Sequence, residues 1–144
     1  MDTAEIQPRL LTSVLVTLEN MAFAQVEEMT IYWARLKFLT PCKGELFVVF
    51  PETLAVELAE NIYGISKSDE SLSPTVISDV SAELANMIAG QLMELFLPGD
   101  KSFSLGIPEI GTGKNMISPV PMDVFYFTVN GSCLSVGVSI APAN

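Results

Sequence analysis

Residues 73–99 read SPTVISDVSAELANMIAGQLMELFLPG, and this stretch decides the fold. Ser73-Pro74 places an N-cap serine before a proline in the first turn, where a missing N–H is tolerated. Pro98-Gly99 closes the other end. The stretch therefore predicts one long helix from Pro74 to about Phe96. On a 3.6-residue period, Ile77, Val80, Leu84, Met87, Ile88 and Leu95 lie along one side, the expected core face. Asp79, Glu83, Asn86 and Gly90 follow i, i+4, i+7, i+11 and form a second stripe away from the first. Ala82, Ala85 and Ala89 lie on the arc beside that stripe, a pattern that predicts room for another protein to approach the helix backbone.

Upstream, Leu10, Leu11, Val14, Leu15 and Leu18 recur at helical spacing within Glu5 to Met21. Thr30 to Leu39 alternates like a strand, Pro41-Cys42-Lys43-Gly44 reads as a turn, and Glu45 to Phe50 reads as a buried strand, together a hairpin. A second helix is predicted from Pro51 to about Tyr63, stopping at Gly64, with a polar loop over Ser66 to Ser73. Downstream, Lys101 to Ile107 reads as a strand and Gly111 to Pro121 as a loop. Met122 to Val129 and Leu134 to Ile140 flank Asn130-Gly131, a type I′ hairpin signal. The order predicts an α+β fold, a mostly antiparallel sheet covered by helices, as one domain over residues 1–144.

The chain has 144 residues, 49% hydrophobic and 17% charged, with a formal net charge of −10 and no His. So apolar a composition implies a large core or apolar surface that meets a second chain, and a homodimer is expected. Seven Lys and Arg cannot line a nucleic acid or an anionic membrane, so neither is an expected partner. Without His, the commonest general base and a common zinc ligand are missing. Cys42 and Cys133 are far apart with no CxxC spacing and are expected as free thiols. No metal site is expected in this chain. Met1-Asp2-Thr3-Ala4-Glu5 lacks the basic start of a signal peptide, and Glu19, Glu57, Glu83 and Glu94 interrupt the apolar stretches, so a cytoplasmic location is expected.

Acids and amides on an outer helix face are most often a solvated surface. The longer pattern points further. Asp79-Val-Ser-Ala-Glu83-Leu-Ala-Asn86, followed on the next expected strand by Pro108, resembles the signature of the CheC, CheX and FliY phosphatases of bacterial chemotaxis, and Met87-Ile88-Ala89-Gly90-Gln91 is similar to its continuation. Here 21 residues separate Asn86 from Pro108, one fewer than the family's usual spacing. CheC-type proteins carry Glu-x-x-Asn twice, the first copy on the N-terminal helix. In this chain Glu19 and Asn20 are adjacent there and cannot share a face as an i, i+3 pair does. The single motif and the element order resemble CheX.

The resemblance implies a phosphatase of the aspartyl-phosphate on a CheY-like receiver. Glu83 would bind the receiver's lysine, Mg²⁺ would sit in the receiver, and this chain would bind no cofactor. Asp79, Gly90 and Pro108 would contribute to partner binding. It also implies a homodimer whose sheet continues across two chains through the C-terminal hairpin. The physical case agrees. Hydrolysis of an acyl phosphate needs a water held in line with phosphorus, and positioning does most of the work. A carboxamide carries a donor and an acceptor, so Asn86 can hold both the water and a phosphoryl oxygen without ionising. A non-catalytic receiver-binding module, or a flagellar-switch component of the same fold, is the alternative. Gly111-Thr-Gly113-Lys114 lacks the upstream glycine and following Ser or Thr of a phosphate-binding loop. Glu27-Glu28 has no matched ligand spacing.

Overall fold

Alternation along one strand separates the two faces of the sheet. In Ile31–Thr40 (β1), Ala34, Leu36 and Phe38 turn to one side and are buried, while Arg35 and Lys37 turn to the other. The computed structural model describes residues 3–22, 29–64, 73–99, 101–113 and 121–142. The remaining elements are α1 (Thr3–Ala22), β2 (Cys42–Pro51), α2 (Glu52–Tyr63), α3 (Pro74–Phe96), β3 (Ser104–Leu105), β4 (Glu109–Thr112), β5 (Asp123–Val129) and β6 (Ser132–Pro142).

The strands form one antiparallel sheet in the order β3-β1-β2-β6-β5, with β4 also pairing β1. Ala34↔Val48, Leu36↔Leu46 and Val48↔Val136 stay in register, so the buried residues of three strands share a face. Leu54 and Ala55 of α2, and Ile77, Ala85, Ala89 and Met93 of α3, close the core over that face. On the other face, Trp33 stacks on Phe47 with ring centroids 5.6 Å apart. Asn130 and Gly131 both take positive φ, as a type I′ turn demands. The turn is tied to α2 by an Asn130–Glu57 hydrogen bond and by the Thr53 and Ser132 hydroxyls at 3.1 Å.

The helix ends follow the sequence reading. Ser73 Oγ accepts from Val76 N at 3.3 Å, a cap worth about 1 kcal/mol. Gly64 ends α2 in the left-handed conformation, with φ 66.

Several expectations change. The face of α3 that meets the sheet runs Ile77, Ser81, Ala85, Ala89, Met93, with Val80 beside it. Ala85 and Ala89 are fully buried, so these small residues let the helix sit close to its own sheet rather than to a partner. Met87 and Leu95, expected in the core, are 56% and 84% exposed, whereas Leu84 and Ile88 are half-buried against it. Ser81 on that face is fully buried, with its hydroxyl donating to the Ile77 carbonyl at 2.7 Å.

The Pro41–Gly44 turn shrinks as well, because Cys42, Lys43 and Gly44 pair with Pro142, Ala141 and Ile140. The strand expected over Lys101–Ile107 is confined to Ser104–Leu105, and Pro108 stands between two strands rather than on one. Gly111 and Thr112, expected in a loop, extend β4 opposite Trp33 and Tyr32. The rest of that loop over 114–120, the loop over 65–72 and the Glu27-Glu28 pair lie outside the described residues. Cys42 and Cys133 are free thiols. Cys42 opposes Pro142 at one end of β6 and Cys133 lies near the other, about 30 Å away by strand rise.

Candidate active site

α3 brings the stripe together. Asp79 and Glu83 are exposed, and Asn86 and Gly90 are half-buried along the helix side opposite the sheet. Ile77, Ser81, Ala85 and Ala89 press the other side into the core, which fixes the rotation of the helix and hence the outward direction of the stripe. Glu83 precedes Asn86 by three residues, so the carboxylate and the carboxamide share one turn. A β-carbon at Gly90 would meet nothing within 4 Å, so the helix surface there is open.

The surroundings are acidic. α2 carries Glu52, Glu57 and Glu60, α3 carries Asp79, Glu83 and Glu94, and neither helix has a Lys or Arg. The described residues hold one ion pair, Arg35–Glu109, on β1 and β4. Among the described residues Glu83 makes no ion pair. Among the described residues, no three acidic or thiol side chains converge as metal ligands.

Pro108 lies away from the stripe's own helix, in the corner between β3 and β4. Both strands pack on α3. Leu105 and Ile110, on either side of the corner, pack against the cluster that contains Ala85 and Ala89. The corner thus flanks the helix that holds Asn86.

A model of the chemotaxis phosphatase CheX matches residues 32–130. The chain belongs to the CheX family. The match takes in the hairpin β1–β2, α2, α3 and the corner with Pro108. Solved structures of the family share the fold. CheX from Desulfovibrio desulfuricans aligns with a TM-score of 0.61 at 18% identity, covering 95% of this chain and 99% of that one. CheX from Vibrio vulnificus aligns at 0.59 and 17%, covering 91% and 93%. CheX in a CheX–CheY–BeF₃–Mg²⁺ complex from Borrelia burgdorferi aligns at 0.57 and 19%, covering 94% and 96%. No curated protein sequence matches significantly. Among the described residues, no helix is long and apolar enough to cross a membrane.

Sequence reasoning missed the features that hold the corner in place. Arg35 Nε and Nη2 both donate to Glu109 Oε2, at 2.9 and 2.6 Å, and the guanidinium lies over the Trp33 ring, 5.7 Å from its centroid. The alternation of Trp33, Arg35 and Lys37 gave a signal for a shared face, but the partner on β4 lies 74 residues away.

Proposed function

We propose that this chain hydrolyses the aspartyl-phosphate of a CheY-like receiver, with Asn86 orienting the water and Glu83 docking on the receiver's lysine. The observation that carries the reading is the placement of Glu83 and Asn86 one turn apart on the outward side of α3, in a chain of the CheX family. Inserted at the receiver's phosphorylation site, the Asn86 amide oxygen accepts a hydrogen bond from water. Its Nδ2 donates to a phosphoryl oxygen. The water oxygen then bonds to phosphorus as the bond to the aspartyl oxygen breaks, giving phosphate and a free carboxylate. Mg²⁺ belongs to the receiver in this scheme. The outward carboxylate of Glu83 and the cation-free helices α2 and α3 suit a lysine-bearing partner.

Asp79 and Gly90 extend the contact along the helix, and Pro108 borders it. The chain works in the cytoplasm, where receivers reside, and pairs with a second copy. β5 is an edge strand whose Val124, Phe125, Tyr126 and Phe127 are all exposed, a feature that favours such pairing.

The test is phosphate release from a phosphorylated CheY-like receiver with Mg²⁺. Asn86→Ala should lose the acceleration and keep its Tm, because the side chain is only half-buried. Glu83→Ala should weaken receiver binding and leave folding intact. Binding without accelerated release by the unaltered chain would make this a receiver-docking module, the alternative reading.

A further inference from the structure

We infer that α1 is an exchanged arm: in a homodimer it lies across β5 and β6 of the second copy and covers Phe125 and Phe127 there. This rests on the pairing of two copies along β5 proposed above and is independent of the receiver reading.

Two apolar faces of this chain lack cover, and they match. On α1, Ile6, Leu10, Val14, Leu18 and Met21 recur every three or four residues and so lie along one side of the helix. All five are exposed, Leu10 at 59% and Met21 at 78%. Arg9, Thr12 and Asn20 take the opposite side. Among the described residues, α2 and α3 make all the substantial packing of helix on sheet or on helix, and α1 takes no part in it. An amphipathic helix draws most of its stability from what its apolar side packs on, so α1 needs a platform. On the sheet, α2 and α3 cover β1 to β4 and leave β5 without a helix. Phe125 and Phe127 oppose Val136 and Leu134 and carry the core face of the sheet out to its edge, where they stay 53% and 51% exposed. The sheet is one helix short over its last strand.

The second copy supplies that helix. In its own chain α1 stands off the sheet, and β5 is the open edge, so a copy paired there brings its α1 to the bare face. Reach allows the exchange. From β1 to the neighbour's β5 is four strand spacings, or ~19 Å, and the chain from Ala22 to Ile31 spans up to about 30 Å. The area suffices as well. At about 200 Å² for a large apolar side chain, the exposed parts of the α1 row and the two phenylalanines come to roughly 700 Å² per copy. Doubled by a two-fold axis, this reaches ~1,400 Å², within the range of about 1,200–2,000 Å² for stable interfaces. A lipid surface suits α1 less, because Arg9, its one basic residue, is outnumbered by Glu5 and Glu19.

The experiment combines sedimentation with cross-linking of the full chain. Sedimentation of the unaltered chain should show a dimer. Val14→Asp and Leu10→Asp should each raise its dissociation constant about tenfold, the scale of a hot-spot residue, and Val14→Leu should leave it unchanged. For cross-linking, Cys42→Ser and Cys133→Ser remove the native thiols. One preparation then carries Leu10→Cys, Val14→Cys or Leu18→Cys, and another carries Asp123→Cys, two residues before Phe125 on the same face of β5. After the two have exchanged subunits, a short bismaleimide should link helix to strand between chains for at least one of the three helix positions. No such link, or a link only within a chain that carries both cysteines, would overturn the exchange. A dimer indifferent to both aspartate variants would also overturn it, with pairing along β5 left standing. A chain that sediments as a monomer would remove the pairing and the exchange together, whatever its activity on a receiver.

Discussion

Gly111 lies beneath the indole of Trp33, its register partner across the β1–β4 ladder. A β-carbon at Gly111 would sit 2.4 Å from Trp33 Cζ2, well inside contact distance. Trp33 is only 7% exposed, is stacked on Phe47 and is hydrogen-bonded to Thr112, so the ring has little room to withdraw.

Gly111→Ala is therefore expected to destabilise the fold by roughly 1–3 kcal/mol, the usual cost of overpacking. Urea denaturation measures it. A midpoint equal to that of the unaltered chain would mean that the indole moves aside freely.

Gly90 offers the opposite case. Its β-carbon would enter open space, and Ala is favoured over Gly in a helix interior by roughly 1 kcal/mol. Gly90→Ala should raise Tm and at the same time weaken receiver binding, because the methyl group stands where the partner approaches. A rise in Tm with unchanged binding would place Gly90 outside the interface.

Burial raises the Tyr32 pKa above the ordinary tyrosine value, and the negative charge of Glu52 adds to the effect. The folded state therefore favours the neutral phenol. That contribution to stability is fully present below the unfolded pKa near 10 and is lost as pH rises through the higher folded value. In an absorbance titration Tyr32 should ionise late, above the ordinary tyrosine range. Tyr32→Phe should remove that late step, and if it persisted the assignment would be wrong.

The edge strand gives a prediction about assembly. Phe125 and Phe127 face the side of the sheet that bears the helices, since they oppose Val136 and Leu134, yet each is about half exposed. Phe127→Lys should convert a dimer to a monomer in sedimentation, because a lysine blunts an open edge. A wild-type chain that sediments as a monomer would refute pairing through this strand.

Strand alternation, the Asn130-Gly131 turn and the limits of α2 and α3 were legible because each depends on neighbours in sequence. The outward stripe on α3 was legible for the same reason. The buried side of α3 was misread because hydrophobicity favours Met87 and Leu95 over Ala85 and Ala89. What decides burial here is how closely the helix can lie on the sheet, and small side chains allow the closest approach. Leu95 stays exposed near the helix end despite its apolar side chain. The short pairing of β3 and β4 with β1 was hidden because contacts such as Arg35–Glu109 join residues far apart in the chain, and no local pattern marks them.

The chain contains a single tryptophan, and the fold has set it against the corner: its indole N–H is bonded to Thr112 and its ring lies under Arg35, the residue that grips Glu109. The protein thus carries its own optical reporter. Loosening of the corner changes the charge and the hydrogen bond at one fluorophore, so its emission wavelength follows that event without any attached label.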